Sequence, residues 1–356
     1  MISQHLQQLG LGSSFNAIEA HSLADFSIGD YVKEYQLFYT GRHAIRHLID
    51  ALSNTKKIQT IWLPEYYCQH VTAWLRKVYE NRISTYAINP FNPKADADIY
   101  SFASADDFVI LNNFWGLYTY KIPQQKNRPI YIEDHSHGWL SKPCLQSTAD
   151  YCFASLRKSL PIPLGGIIWS NSLKLPKPAA NTDAQTEFMT AWDEITKAMA
   201  LKTALLKGDN TIQKSDYLNI ITKFEYFLHE QHSVVAVSKI HKEILVQFLS
   251  RDYGYYKKEN LAFLKQYLLD TENFKVLYSK NDFTFGLPLV FKDRENLNKV
   301  KKELVENDIY PSELWPDNHC TTDLKYLLNI HVDFRYTLED MNHIATTLNT
   351  YIKKHL

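Results

Sequence analysis

The chain is 356 residues long, which fits one large α/β domain plus a smaller second domain better than one small core. Its 39 basic and 39 acidic residues cancel, so the charge balance does not indicate nucleic acid or an anionic membrane as a partner. The chain begins without the basic and apolar segments of a signal peptide, and no apolar run reaches the roughly 18 residues of a membrane span. With four widely spaced cysteines and no CxxC pair, these features predict a cytoplasmic protein with reduced thiols.

Short predicted strands and helices alternate through the first half of the chain. Apolar side chains recur at helical spacing over residues 41–52, and a second helix is predicted to end near Arg76. Short apolar runs predict strands over 60–63, 83–88, 108–111, 129–132, 151–154 and 166–169. This alternation predicts a mostly parallel sheet with helices on both faces, whose ligands bind beyond the carboxyl ends of the strands.

The second half of the chain is predicted to be richer in helices. Helical patterns cover about 182–206, 215–232, 238–249, 259–268, 294–307 and 338–354, and strand patterns cover 274–278 and 285–291. We therefore expect a large ligand-binding domain over residues 1–235 and a smaller C-terminal α+β domain over residues 236–356.

A lysine that follows a predicted strand is the most informative feature of the sequence. In the segment YCFASLRKSLPIPLGG, residues 151–166, a strand leads into a loop that contains Ser155, Arg157 and Lys158 and ends in a glycine pair. A lysine that forms a Schiff base with pyridoxal 5'-phosphate (PLP) needs a lowered pKa, which partial burial and a neighbouring arginine favour. Ser155 is placed to give its hydroxyl to the cofactor phosphate, and the glycines allow a close backbone approach. The competing interpretation is an ordinary surface lysine.

A carboxylate at the end of another predicted strand fits the same cofactor. In the segment PIYIEDHSHG, residues 129–138, Asp134 ends the strand and His137 follows three positions later. PLP needs a carboxylate that keeps its pyridine nitrogen protonated, and His137 is placed to orient that carboxylate or to contact the ring. His135 and His137 also form an HxH pair, which is a weak indication of a metal site because no further ligands complete it at a familiar spacing. A strand end with solvated polar residues is the third interpretation; we expect the cofactor role and no metal.

A glycine opens the helix predicted over residues 41–52. Thr40, Gly41 and Arg42 stand at its N-terminus, where unpaired N–H groups and the positive end of the helix dipole bind phosphate. A glycine at a helix start is common, so this segment indicates a phosphate site only in combination with the lysine and aspartate segments.

Taken in order, the three segments resemble the fold-type I PLP enzymes, and most closely the sugar-aminotransferase-like DegT/DnrJ/EryC1 group. The resemblance covers most of the chain and rests on the glycine-opened helix, then the strand-end Asp134, then the Ser-x-x-Lys and Gly-Gly segment. It implies an aspartate-aminotransferase-like α/β fold, PLP bound covalently to Lys158, and a homodimer whose subunits share their active sites. In the segment LPEYYC, residues 63–68, it implies that Tyr66 or Tyr67 stacks on the cofactor ring.

The sequence departs from this group at two places. Arg42 and His43 replace the small residue and threonine that usually follow the phosphate-loop glycine. Phe153 stands where many sugar aminotransferases carry a serine five residues before the lysine. Both differences bear on the sugar substrate and not on the cofactor. The dehydrating branch of the group has histidine in place of the lysine, so Lys158 favours transamination.

Together these features predict a PLP-dependent aminotransferase that transfers an amino group from a small-molecule donor to a keto-sugar or another small carbonyl compound. The resemblance implies that an arginine of the smaller domain holds a substrate carboxylate bidentately, and Arg335 is the candidate. A surface pair between Arg335 and Asp333 or Glu339 is the alternative for that residue. For the function, the alternatives are another PLP reaction, such as elimination, decarboxylation or carbon–carbon bond formation, and a non-catalytic binding protein.

Overall fold

The computed structural model of the chain describes residues 10–13, 16–92, 101–123, 125–179, 184–278 and 284–355. The strands are β1 Ala24–Asp25, β2 Glu34–Phe38, β3 Ile61–Pro64, β4 Ile83–Tyr86, β5 Phe108–Asn112, β6 Ile130–Asp134, β7 Tyr151–Ser155, β8 Gly166–Ser170, β9 Arg251–Asp252, β10 Lys275–Val276, β11 Leu287–Phe291, β12 Ser312–Glu313 and β13 Tyr326–Ile330. The helices are α1 Gly41–Ser53, α2 Gln69–Tyr79, α3 Lys142–Leu145, α4 Gln185–Leu206, α5 Lys214–Glu230, α6 Lys239–Leu249, α7 Gly254–Tyr267, α8 Arg294–Glu306 and α9 Leu338–Lys354. Within these described ranges, no helix is long and apolar enough to cross a membrane.

Seven strands form the larger sheet, in the order β2-β8-β7-β6-β5-β3-β4. The strands from β4 through β3, β5 and β6 to β7 pair in parallel, whereas β8 and β2 pair antiparallel at the other side. Strand β5 has the sequence FVILN and is buried along its whole length, as expected for an apolar strand in the middle of a covered parallel sheet. The carboxyl ends of β3, β5, β6 and β7 therefore lie at one edge of the sheet.

A smaller sheet follows in the C-terminal part, with the strand order β10-β11-β13-β12 and antiparallel pairing throughout. Helix α8 packs on this sheet, and α9 packs on both α8 and α7. Strands β11 and β13 are almost fully buried, which places the apolar core of this part between the sheet and its helices.

The predicted α/β class is confirmed, with the mostly parallel sheet and the helices that alternate with its strands. The pattern did not identify β2, which is half-exposed and pairs antiparallel with β8 at the edge of the sheet, nor β13. The helix predicted from about residue 182 begins at Gln185. Residues 180–183 lie outside the described part of the chain. The domain boundary near residue 235 stays a prediction.

Helix α1 begins against the end of the lysine-bearing strand, and glycines make this contact possible. The side chain of Thr40 caps the helix by accepting a hydrogen bond from the His43 N–H at 3.1 Å. A Cβ on Gly166 would lie 2.2 Å from the Thr40 carbonyl oxygen, and a Cβ on Gly41 would lie 2.9 Å from the Cβ of Ser155. The close approach expected of the glycine pair is therefore made by the protein's own backbone at the start of α1.

Substituting Gly166 with alanine should destabilise the protein, because the added Cβ overlaps backbone atoms that cannot move without displacing α1 from β8. We expect the free energy of unfolding to fall by about 1–3 kcal/mol or more, measured by chemical denaturation. Gly29→Ala is the matched control, because its Cβ would meet only the Ser27 hydroxyl, at 4.0 Å. Equal stabilities for the two variants would show that the α1–β8 contact is not tight.

Candidate active site

A cavity of about 320 Å³ lies at the carboxyl ends of the parallel strands, beside the N-terminus of α1. The cavity lining includes Thr40, Gly41, Arg42, Tyr67, Asn112, Asp134, Ser136, His137, Ser155, Arg157, Lys158, Glu225, His229 and Trp315. Eight of the ten residues that the sequence singled out as site candidates are in this set; Tyr66 and Arg335 are not. The fold thus collects residues from positions 40 to 315 around one space.

Asp134 ends β6 and is buried, with its carboxylate facing the cavity. Its Oδ2 accepts a hydrogen bond from the Tyr67 hydroxyl at 2.5 Å, and its Oδ1 accepts one from the Ser136 backbone N–H at 2.8 Å. Burial, together with the negative charge of Asp134, raises the pKa of Tyr67 well above its usual value, so Tyr67 stays a donor. Two donors therefore fix the orientation of the Asp134 carboxylate.

Lys158 ends the single 3₁₀ turn Leu156–Lys158 that follows β7. Its side chain is exposed, and its Nζ donates to Nε2 of His137 at 3.2 Å. Burial, followed by the charges of Lys158 and Lys257, lowers the pKa of His137 well below its usual value, so the imidazole is neutral and can accept. The partner of the Lys158 amine is therefore a neutral imidazole.

His137 is held in a stack of aromatic rings. Its ring lies 4.2 Å from Phe285 and 5.2 Å from Trp315, centroid to centroid and nearly parallel to both. Its Nδ1 is buried and has no hydrogen-bond partner. Because Nε2 accepts from Lys158, the neutral ring carries its proton on Nδ1. The stack therefore fixes the ring that meets Lys158.

The N-terminus of α1 forms the opposite side of the cavity. Arg42, its second residue, donates from Nη1 to Nδ1 of His229 on α5 at 3.2 Å. Burial, and next the charge of Arg157, lowers the pKa of Arg42, although an arginine stays charged at neutral pH. Arg157 donates through both guanidinium nitrogens to the carboxylate of Glu225, which is also on α5. Two neighbouring arginines thus have different partners on one helix.

The structure separates the two tyrosines that the sequence could not. Tyr66 is fully buried beneath the cavity, where its hydroxyl donates to the Leu314 carbonyl at 2.9 Å. Tyr67 lines the cavity, and its ring lies 6.0 Å from Trp315 at a tilt of 50°. Tyr67 is therefore the tyrosine placed to meet a ligand, through a hydroxyl that already binds Asp134.

Arg335, the candidate for holding a substrate carboxylate, is not among the residues that line this cavity. Its Nε and Nη2 donate to the two oxygens of Asp333, at 2.6 and 2.9 Å, and its Nη1 donates to the Asn16 carbonyl at 2.9 Å. These contacts use both edges of the guanidinium within the protein. The observed contacts of Arg335 agree with the alternative interpretation, an ion pair with Asp333, which is two residues away in the sequence.

Several cavity residues had not been assigned a role from sequence, among them Asn112, Glu225, His229 and Trp315. Asn112 ends β5, and its buried Nδ2 has no hydrogen-bond partner. Glu225 and His229 lie one turn apart on α5, and Trp315 reaches the cavity from the C-terminal part with a positive φ of 53°. The strand-end position was a usable signal for Asn112, and the four-residue spacing on a predicted helix was one for the α5 pair. Trp315 carried no such signal.

The HxH pair does not form a metal site in the way its spacing suggests. His137 faces Lys158, whereas His135 lies on the other side with Glu133 and Cys152, whose ligand atoms come within 4.8 Å of one another. Nδ1 of His135 lies 3.0 Å from the amide nitrogen of Asn113, and its Nε2 lies 3.5 Å from the Glu133 carboxylate. Glu133, His135 and Cys152 do not line the cavity described above, so this cluster is separate from it.

Substituting Arg335 with alanine should reduce stability and leave substrate binding unchanged. Burial would raise the pKa of Asp333, but the charge and hydrogen bonds of Arg335 outweigh it and lower that pKa. The stabilisation is therefore complete at neutral pH and is lost as the pH falls through the lowered pKa of Asp333. We expect Arg335→Ala to lower the free energy of unfolding by roughly 1–3 kcal/mol at neutral pH, and by less in acid. Unchanged stability with a raised KM for the amino donor would restore the substrate role.

No family model and no curated sequence matches the chain. Solved structures match it over nearly its whole length. The PMP form of Spr1654 from Streptococcus pneumoniae, assigned as a sugar aminotransferase, is 11% identical with a TM-score of 0.64, covering 97% of this chain and 100% of that one. The sugar aminotransferase CalS13 from Micromonospora echinospora is 14% identical, with a TM-score of 0.60 and coverage of 96% and 99%. DesI, solved in the presence of its TDP-sugar product, is 9% identical, with a TM-score of 0.56 and coverage of 98% and 94%. The chain therefore has the fold of the fold-type I PLP enzymes, as its sequence predicted.

Proposed function

We propose that this protein is a PLP-dependent aminotransferase in which Lys158 binds the cofactor covalently. One observation carries the proposal: Lys158, the buried carboxylate of Asp134 and the N-terminus of α1 line a single cavity. These are the three features that a PLP site requires, namely an amine for the aldehyde, an anion for the pyridine nitrogen and a donor surface for the phosphate. The likeness to sugar aminotransferases supports the proposal through the fold.

The residues around the cavity fit this cofactor. The volume of about 320 Å³ lies within the usual range for a small-molecule site. The buried Nδ2 of Asn112 lines the cavity and has no hydrogen-bond partner among the described residues, and a polar ligand would supply one. Arg42 and the α1 N-terminus place positive charge where a phosphate would bind. The cavity therefore offers polar groups of the right kinds.

When bound, PLP supplies an electron-accepting ring that stabilises the negative charge formed as the substrate loses a proton. Asp134 would hold a proton on the pyridine nitrogen, and the two hydrogen bonds to its carboxylate keep it oriented. The amine of Lys158, once displaced by an amino donor, would remove and return the substrate proton. His137 accepts from this amine, so it would orient Nζ without neutralising it.

We propose a keto-sugar or another small carbonyl compound as the amino acceptor. Sugar substrates are supported by the fold shared with sugar aminotransferases, among them DesI, which was solved in the presence of its TDP-sugar product. We further propose a homodimer with shared active sites and a cytoplasmic location; both follow from the sequence and its resemblance. A PLP domain over residues 1–235 and a smaller domain over residues 236–356 complete the proposal.

Substituting Lys158 with alanine should abolish the covalent link to PLP. The purified wild-type protein, reconstituted with PLP, should show the visible absorption band of the linked cofactor, and Lys158→Ala should lack it. Amino transfer should fall by roughly 10²–10⁴-fold or more, because the general base and acid is lost. Lys174→Ala, at an exposed lysine outside the cavity, is the matched control and should retain band and activity. A wild-type protein without the band, or a Lys158→Ala variant that keeps it, would overturn the assignment.

Substituting Asp134 with asparagine should separate cofactor binding from chemistry. The covalent link depends on Lys158, so the absorption band should persist, and its presence shows that the variant is folded. Amino transfer should fall by roughly 10²–10³-fold, since the neutral amide no longer holds the proton on the ring nitrogen. The half-reaction with an amino donor, followed by stopped-flow absorbance, measures this rate. A rate equal to that of wild type would exclude Asp134 from the proposed role.

A further inference from the structure

The cavity is closed on one side by α5, whose residues Glu225 and His229 meet two neighbouring arginines. Glu225 lies one helical turn before His229, so both side chains project from the same face of the helix. Glu225 pairs with Arg157 through both of its oxygens, and His229 accepts from Arg42 at 3.2 Å. One helix therefore gives one arginine an anionic partner and the other a neutral partner.

The two partners have different electrostatic consequences. A bidentate carboxylate neutralises the guanidinium that it binds and uses one edge of its donors. An imidazole that accepts one hydrogen bond orients a guanidinium but leaves its charge uncompensated. Burial, followed by the charges of Arg42 and His70, lowers the pKa of His229, which keeps this imidazole neutral. Glu225 also attracts Arg42, but its hydrogen bonds go to Arg157.

No carboxylate of the described residues hydrogen-bonds to Arg42, so its charge has no bound anion at this partly buried position. It is the second residue of α1, so its backbone lies in the helix turn whose N–H groups face the cavity. Ser155, whose Cβ lies against Gly41, completes the same corner. A dianionic phosphate at this corner would receive charge from Arg42 and from the helix dipole together.

We propose that His229 is a positioning residue that orients the uncompensated charge of Arg42 toward the cofactor phosphate, whereas Glu225 neutralises Arg157 and so restricts the phosphate-binding charge at this corner to Arg42. The inference rests on the proposed PLP site and goes beyond it, because it assigns selectivity for the phosphate group to a helix of the second half of the chain. Neither residue touches the atoms that react.

The affinity for PLP divided by the affinity for pyridoxal, which lacks the phosphate, isolates this effect. This quotient is called the ratio below. Both compounds carry the aldehyde and the ring, so damage to the Lys158 end of the cavity changes both affinities together. In His229→Leu the acceptor for Arg42 is lost, and we expect the PLP affinity to fall roughly tenfold with the pyridoxal affinity unchanged. Absorbance or fluorescence titration of the apoprotein measures both constants.

Three further variants make the test specific. His229→Gln restores an acceptor and should recover most of the ratio. His47→Leu removes an α1 histidine that contacts the Lys177 carbonyl outside the cavity, at 2.9 Å, and should leave the ratio near that of wild type. Glu225→Gln removes the charge that engages Arg157 and should raise the ratio, which is the opposite sign to His229→Leu on the same helix.

The outcomes distinguish this inference from the proposed function. If wild type binds neither PLP nor pyridoxal, the proposed function itself fails. If wild type prefers PLP but His229→Leu leaves the ratio unchanged, or lowers both affinities equally, the inference fails and the function stands. A Glu225→Gln variant with an unchanged or lower ratio would also contradict the role of Glu225.

Discussion

The close backbone contact between the start of α1 and the ends of β7 and β8 is the constraint on which the cavity depends. Gly41 lies against Ser155, and Gly166 lies against Thr40, at distances that leave no room for a Cβ. Because Lys158 follows Ser155 by three residues, this contact fixes the lysine turn relative to the N–H groups of α1. A phosphate held at the helix and an aldehyde held at the lysine can then belong to one molecule.

Strand periodicity distributes the remaining groups between the two faces of the sheet. Asp134 and Asn112 end neighbouring parallel strands in register, and both side chains reach the cavity. Glu133, one residue earlier than Asp134, points to the opposite face, where it meets Cys152 and His135. Adjacent residues with similar chemistry therefore have unrelated surroundings, and the sheet decides which of them faces a ligand.

The parts of the site that local sequence describes were predictable, and those that depend on distant packing were not. Three features, namely Lys158, Asp134 and the α1 N-terminus, each lie in a strand–loop or loop–helix unit. Such a unit can be predicted from the residues next to it in the sequence. The choice between Tyr66 and Tyr67 depends on Leu314, which lies far along the chain and accepts from Tyr66. Arg335 was given a substrate role by resemblance, although the local alternative, Asp333, holds it. No pattern near Arg42 could indicate that α5 would supply its partner.

Neutral imidazoles meet cations at both ends of the cavity. His137 accepts from Lys158, and His229 accepts from Arg42, and burial keeps both rings uncharged. A carboxylate in either place would form an ion pair, which would hold the cation equally well but cancel the charge that draws an anionic ligand. Among the described cavity residues, carboxylates instead meet a tyrosine at Asp134 and the second arginine at Glu225. The arrangement therefore orients its cations while it preserves their attraction for an anion, which is the electrostatic requirement of a phosphate-bearing cofactor.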